Sequence, residues 1–197
     1  MSGRFTRPLF WFALALPGLL MAANLLRGDV LAMDLLHPTG ELSVRLMIAA
    51  MLAGPLAGIF GPNRFFRGWL AIRRNLGVAA FGYAALHLAF YAIDMGLLAA
   101  MIEELALPSI WTGWLALGLM AIPAAISFNR AMRAMGRHAW KSAQRLVYPC
   151  LALSLAHWLL LDWNWQPAAV HLTPLLVAWL VLLLKRSRNR TQQRTPA

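Results

Sequence analysis

The stretch RHAWKSAQRLVYPCLALSLAHWLLLDW, residues 137–163, opens with Arg137, His138, Lys141 and Arg145 and then runs apolar almost to its end, interrupted by one imidazole, His157. A cationic entry followed by a long apolar run reads as a helix leaving a charged interface for the hydrocarbon of a bilayer. A histidine deep inside such a helix is costly to bury without a partner, which makes it a functional candidate.

The whole chain shares this character. Its 197 residues are 60% apolar and only 13% charged, with a mean hydropathy of +0.61, outside the composition of ordinary soluble domains. The apolar residues fall in long runs separated by short charged loops. They predict an all-α membrane protein, a six-transmembrane-helix bundle over about 8–26, 42–60, 76–98, 110–128, 146–161 and 167–184. A single integral membrane domain then covers 1–197, with 185–197 as a short basic cytoplasmic tail. Arg4 and Arg7 before the first run imitate a secretory signal, but the run is too long for a signal core and holds Pro17 and Gly18, so it reads as a retained span.

Lysine and arginine bias the loops they occupy toward the cytoplasm. They cluster at the N-terminus (Arg4, Arg7), between spans two and three (Arg64, Arg67, Arg73, Arg74), between spans four and five (Arg130, Arg133, Arg137, Lys141, Arg145) and after span six (Lys185, Arg186, Arg188, Arg190, Arg194). The alternate loops carry Asp29, Asp34 and Glu41, then Glu103 and Glu104, then Asp162, against Arg27 alone. Both termini are therefore expected in the cytoplasm.

The same partition explains a net charge of +11 without nucleic acid, because the cations border spans and form no single binding face. Anionic membrane lipid is their expected partner. Trp163 and Trp165, with Trp111 and Trp114, read as interfacial anchors at the outer ends of spans five and four. Cys150 has no second cysteine to pair with and reads as packing. No internal repeat, zinc-type cysteine spacing, P-loop or dinucleotide fingerprint is visible in the sequence.

Two histidines lie well inside spans: His87 in FGYAALHLAFYAID and His157 in ALSLAHWLL. Spans three and five both run outward, with His87 13 residues beyond Arg74 and His157 12 beyond Arg145. At about 1.5 Å per residue both imidazoles lie roughly 18–20 Å from the inner border. Two neutral imidazoles at one depth on different helices suit the two axial faces of a haem iron. Gly82, Ala84, Ala85 and Ala89 on one helix and Ala152, Ser154 and Ala156 on the other would leave room for a flat macrocycle, though small residues also serve plain helix packing. His37 in LLHPTGE reads as a solvated or capping residue, His138 as an interfacial charge, and His171 as a hydrogen-bonded residue near the outer surface. None of the three has a depth-matched partner in the sequence. Arg45, four residues after Glu41, forms a local i,i+4 ion pair or meets a haem propionate or a partner protein.

The segments HPTGELSVRL, RRNLGVAAFGYAALHLAFY, PAAISFNRAMRAMGRHAWKSAQRLVY and LALSLAHW, in this order and spacing, resemble the MsrQ family, within the ferric-reductase-like transmembrane superfamily. The resemblance covers nearly the whole chain. It implies a six-span protein that carries haem b and passes electrons to MsrP, a periplasmic molybdenum enzyme that reduces methionine sulfoxide in oxidised proteins. Such a protein is an electron-transfer subunit with no substrate chemistry of its own on the sulfoxide. The family draws electrons from the quinone pool, and FMN is associated with it. Its haem-binding histidines of spans three and five fall on His87 and His157.

The family also places a histidine in W-x-x-L-H-R-L-V-Y at the start of span five, where this chain reads WKSAQRLVY and has Gln144. An amide is a poor haem ligand beside imidazole, so the resemblance implies one haem here and leaves a second in question. His138 lies six residues earlier, roughly 9 Å away along a helix, too far to stand in. Arg73, Arg74 and Gln144, at the inner level, remain candidates to face a second haem's propionate, a quinone or a flavin.

Ferric reductases and NADPH oxidases append flavin and nicotinamide domains after the last span, whereas 13 residues follow Leu184 in this sequence. The expected electron donor is therefore a quinol or a separate flavin reductase. Two other classes of function compete with an electron relay. One is a haem-free membrane scaffold or assembly factor with packed histidines. The other is a proton-coupled transporter using His87, Asp94 and His157, in which Asp94 shares a helix face with His87.

Overall fold

Long apolar runs with few internal breakers become helices, since a helix satisfies every backbone polar group within its own segment where water is absent. The computed structural model describes residues 3–61, 63–161 and 165–194. Asp162 and Trp163, expected in the last outer loop, lie outside the described residues. Eight α-helices occur among those described: α1 (Gly3–Arg27), α2 (Leu36–Phe60), α3 (Arg64–Met95), α4 (Leu98–Glu104), α5 (Pro108–Ala125), α6 (Asn129–Gln144), α7 (Val147–Leu161) and α8 (Trp165–Arg194). A single 3₁₀ turn, Met33–Leu35, leads into α2.

Five of these helices, α1, α2, α3, α5 and α8, are long and apolar enough to cross a membrane. The fifth expected span, 146–161, is α7, which has 15 residues. At 1.5 Å per residue it rises about 22 Å, short of the roughly 30 Å of hydrocarbon.

Two stretches expected as loops are helical. Arg64, Arg67, Arg73 and Arg74 ride on the N-terminal part of α3, which begins where the Asn63 side chain accepts a hydrogen bond from the Phe66 N–H (3.0 Å). The basic segment between α5 and α7 forms α6, bent at Gly136, whose φ of 75° no ordinary helix position tolerates. Its many cations and scattered apolar residues fit a helix lying along an interface. Span three ends earlier than expected, at Gly96 (φ 67°), so that Leu97 and Leu98 belong to a separate turn and the short α4. The basic tail continues α8 as far as Arg194.

The two most extensive helix pairings are α2 with α3 and α5 with α7. Between them lies a core of Val44, Met47, Ile48, Ala80, Met120, Cys150, Leu151 and Leu175. A fully buried polar contact helps to tie each pair. Ser43 Oγ donates to the Ala80 carbonyl across α2–α3 (2.9 Å), and Cys150 Sγ donates to the Ala116 carbonyl across α5–α7 (3.3 Å). Such bonds within a membrane are worth about 0.6 kcal/mol each, enough to favour one register. Outside the core, Leu9, Leu26, Phe60, Leu98, Val170 and Leu183 are exposed, the surface expected of helices facing acyl chains.

Helix α1 joins through Tyr83. The Gly18 N–H donates to Tyr83 Oη (3.1 Å), and Oη donates to the Leu14 carbonyl (2.8 Å), so a hydroxyl from α3 is inserted into one step of the α1 ladder. Helix α8 closes the other side. Leu182 fits over Gly58, where a β-carbon would come within 2.8 Å of Leu182 Cδ1. Lys185 Nζ donates to the Ile59 carbonyl (2.7 Å) at the last turn of α2, where a cation complements the helix dipole.

Candidate functional site

The α2–α3 and α5–α7 pairs converge on a cavity of about 520 Å³, within the range of cofactor sites. Both His87 and His157 line it, along with apolar side chains such as Val44, Leu88, Leu117 and Met120. Of the small residues expected to make room, Ala84 and Ser154 line the cavity. Further space comes from positions the sequence did not single out, Gly40 on α2 and Gly113 and Ala116 on α5.

The imidazoles of His87 and His157 have ring centroids 6.0 Å apart and planes at 89°. Each ring is fixed by its partner helix. His87 Nδ1 bonds the Leu36 carbonyl at 2.9 Å, and His157 Nδ1 bonds the Ser109 carbonyl. A carbonyl only accepts, so in both rings Nδ1 carries the proton and donates, which leaves the Nε2 lone pair free for a metal.

The spacing is a test of fit for an iron between the rings. Two iron–nitrogen bonds of about 2.0 Å, each extended by about 1.2 Å from nitrogen to ring centre, require roughly 6.4 Å. The observed separation is within a few tenths of an ångström of that value. No group of three or more His, Cys, Asp or Glu residues that could hold a metal occurs among the described residues. Two imidazoles without further protein ligands suit a macrocycle that supplies its own equatorial nitrogens.

A model of the family described as ferric reductase like transmembrane component matches residues 39–155, from the first turn of α2 into α7. The chain is 32% identical over 160 residues to proteins of Brucella ovis, Brucella canis and Brucella suis, each described as a protein-methionine-sulfoxide reductase heme-binding subunit MsrQ. These alignments cover 80% of this chain and 70% of each relative. The chain belongs to the MsrQ family of ferric-reductase-like transmembrane proteins. No solved structure matches it significantly. With five membrane-length apolar helices and this family, it is a multi-pass membrane protein.

In this MsrQ-family chain Arg73, Arg74 and Gln144 do not form a second histidine site. Gln144 Nε2 donates to the Pro123 carbonyl (3.1 Å) and lies 3.5 Å from Ser127 Oγ, closing the last turn of α5. Arg74 donates to Asn129 Oδ1 (2.9 Å), tying α3 to the start of α6, while Arg73 is exposed. His138 is exposed on α6. An arginine and an amide do not fit as the axial pair of a second haem iron.

Arg45 is taken up locally. It bonds Glu41 Oε1 (2.6 Å), as the i,i+4 spacing implies, and its Nε donates to His171 Nε2 (2.7 Å). His171 thereby gains the partner the sequence did not disclose, across more than 120 residues of chain, and its Nδ1 donates to the Pro167 carbonyl. His37 sits at the start of α2 rather than in a loop, with its ring edge-on to Trp158 at 5.7 Å. Asp94 lines the cavity, as does Tyr91, whose hydroxyl donates to Glu104 of α4 (2.6 Å).

Sequence reasoning missed Thr39, Gly40, Thr112 and Gly113, on which both histidines rest. The signal available was the pair Thr-Gly near the start of two spans, in HPTGE and IWTGW.

Proposed function

We propose that this chain is a haem b electron-transfer subunit of a periplasmic methionine-sulfoxide-reducing system. The observation that carries the reading is the His87–His157 pair, two Nδ1-anchored rings 6.0 Å apart in a largely apolar cavity. The description of the relatives as heme-binding subunits agrees with it.

When bound, the haem supplies reversible one-electron chemistry at iron. His87 and His157 would hold that iron between them, and a haem held by two imidazoles would serve electron transfer. The Leu36 and Ser109 carbonyls keep each ring in one tautomer and orientation.

We place the chain in a bacterial inner membrane with six spans, α7 completing the count, and with both termini cytoplasmic, on the strength of the charge partition. Electrons enter from the quinone pool or a separate flavin reductase and leave outward to an MsrP-like periplasmic molybdenum reductase with which the chain forms a heterodimer. FMN is a further cofactor that this family reading brings, and Arg73, Arg74 and Gln144 mark the inner region where a flavin or quinone would approach.

The test is pyridine haemochrome stoichiometry with visible spectra on the purified protein and on His87→Ala and His157→Ala. One haem b per chain is expected, with haem lost from both variants. Full, spectrally unchanged haem in both variants would overturn the ligand assignment. A haem-free wild type expressed with ample haem would favour a scaffold.

A further inference from the structure

The two histidines are held by the same device, built once on each helix pair. On α2, Thr39 Oγ1 lies 2.6 Å from the Leu35 carbonyl, 3.0 Å from the Leu36 carbonyl and 3.4 Å from His87 Nδ1 itself, and the Leu36 carbonyl also accepts from His87 Nδ1. On α5, Thr112 Oγ1 lies 2.7 Å from the Pro108 carbonyl and 2.9 Å from the Ser109 carbonyl, and the latter also accepts from His157 Nδ1. In both cases the shared carbonyl is three residues before the threonine and four before a glycine, Gly40 or Gly113, against which the imidazole lies. Both threonines are buried, at 0% and 5% exposure.

We infer that Thr39 and Thr112 are positioning residues that set the reduction potential of an iron held between His87 and His157, by sharing the carbonyl oxygens those histidines bond. The inference rests on the haem reading above.

The physical chain is short. A carbonyl oxygen offers two lone pairs, and the helical ladder directs the N–H of Gly40 or Gly113 to the same oxygen. A threonine hydroxyl that donates there competes with the imidazole Nδ1–H and weakens that bond. Each hydroxyl has one hydrogen and two carbonyls in reach, so its rotamer divides between them. A weaker Nδ1–H bond leaves the imidazole less anionic and a poorer donor to iron, which stabilises the oxidised form less and raises the potential. Removing the hydroxyl strengthens the histidine bond and lowers the potential. The repetition on α2 and α5 makes the two contributions additive in sign, one per axial ligand.

The experiment is a spectroscopic redox titration of haem in the full-length protein, purified in detergent, for wild type, Thr39→Val, Thr112→Val, the double variant, and Thr39→Ser and Thr112→Ser. The expected result is a downward shift of the midpoint in each valine variant, larger in the double, with the serine variants returning to the wild-type value. Haem retained at an unmoved or raised midpoint overturns the inference. A serine shift equal to that of valine overturns it as well, because the cause is then packing. Haem loss from the valine variants is decided by Thr39→Ala and Thr112→Ala: loss there with retention in serine makes the hydroxyl structural and overturns the tuning role, whereas retention with a lowered midpoint supports it. Retention of full haem in His87→Ala and His157→Ala is a separate result, which removes the haem reading itself.

Discussion

Gly113 lies so close beneath His157 that a β-carbon placed on it would sit 2.7 Å from the imidazole Cε1 and Nδ1. The corresponding distance from Gly40 to His87 Nδ1 is 3.4 Å, an ordinary contact. The two histidine seats are built alike but differ in tolerance. Gly113→Ala is expected to displace His157 from the Ser109 carbonyl and to lose most of the bound haem, while Gly40→Ala keeps it. Haem content per purified chain checks both, and equal retention in the two variants would contradict the close approach as a determinant.

Arg45 was open to two readings, a local ion pair or a contact with haem. Its two hydrogen bonds go to Glu41 and His171, and its side chain is half exposed, so screening by solvent keeps the pair below about 1 kcal/mol. Arg45→Ala should leave haem stoichiometry unchanged and lower thermal stability only slightly. Loss of haem from this variant would restore the propionate contact.

Gln144 closes the α5 end by donating to the Pro123 carbonyl. Gln144→Leu is expected to cost about 1 kcal/mol, the worth of one ordinary hydrogen bond. It should leave the haem count and the Soret and alpha bands as they are. A change in either would assign Gln144 a place beside a cofactor.

The Tyr91–Glu104 bond joins α3 to the short α4 at the rim of the cavity. A helix of 7 residues has little stability of its own, and a hydrogen bond to a carboxylate is worth about 1.5–3 kcal/mol. Tyr91→Phe is expected to release α4 and to quicken proteolytic cleavage around residues 97–107 in detergent. Unchanged protection there would show that apolar contacts alone hold α4.

His87 and His157 were legible as a depth-matched pair because a helix advances by a constant rise, so counting from Arg74 and Arg145 places both rings at one level. The Glu41–Arg45 pair followed from i,i+4 spacing on the same reasoning. Helices α4 and α6 were not legible, since hydropathy finds long apolar runs and passes over a helix as short as α4 or as charged as α6. The likeness of the α2–α3 and α5–α7 pairs shows in the sequence only as the Thr-Gly of HPTGE and IWTGW, because it lies in which carbonyl each histidine meets, and Leu36 and Ser109 share no side-chain chemistry.

The sequence by itself determined the membrane class, the orientation expected of the helices and the common level expected of the two imidazoles, because each follows from local composition and a fixed helical rise. Only the tertiary structure decided that the rings stand 6.0 Å apart, that Arg45 is bound to His171, and that a threonine and a glycine serve each histidine. These depend on helix rotation and on backbone carbonyls. Every residue has such a carbonyl, so no residue type announces where one will be used.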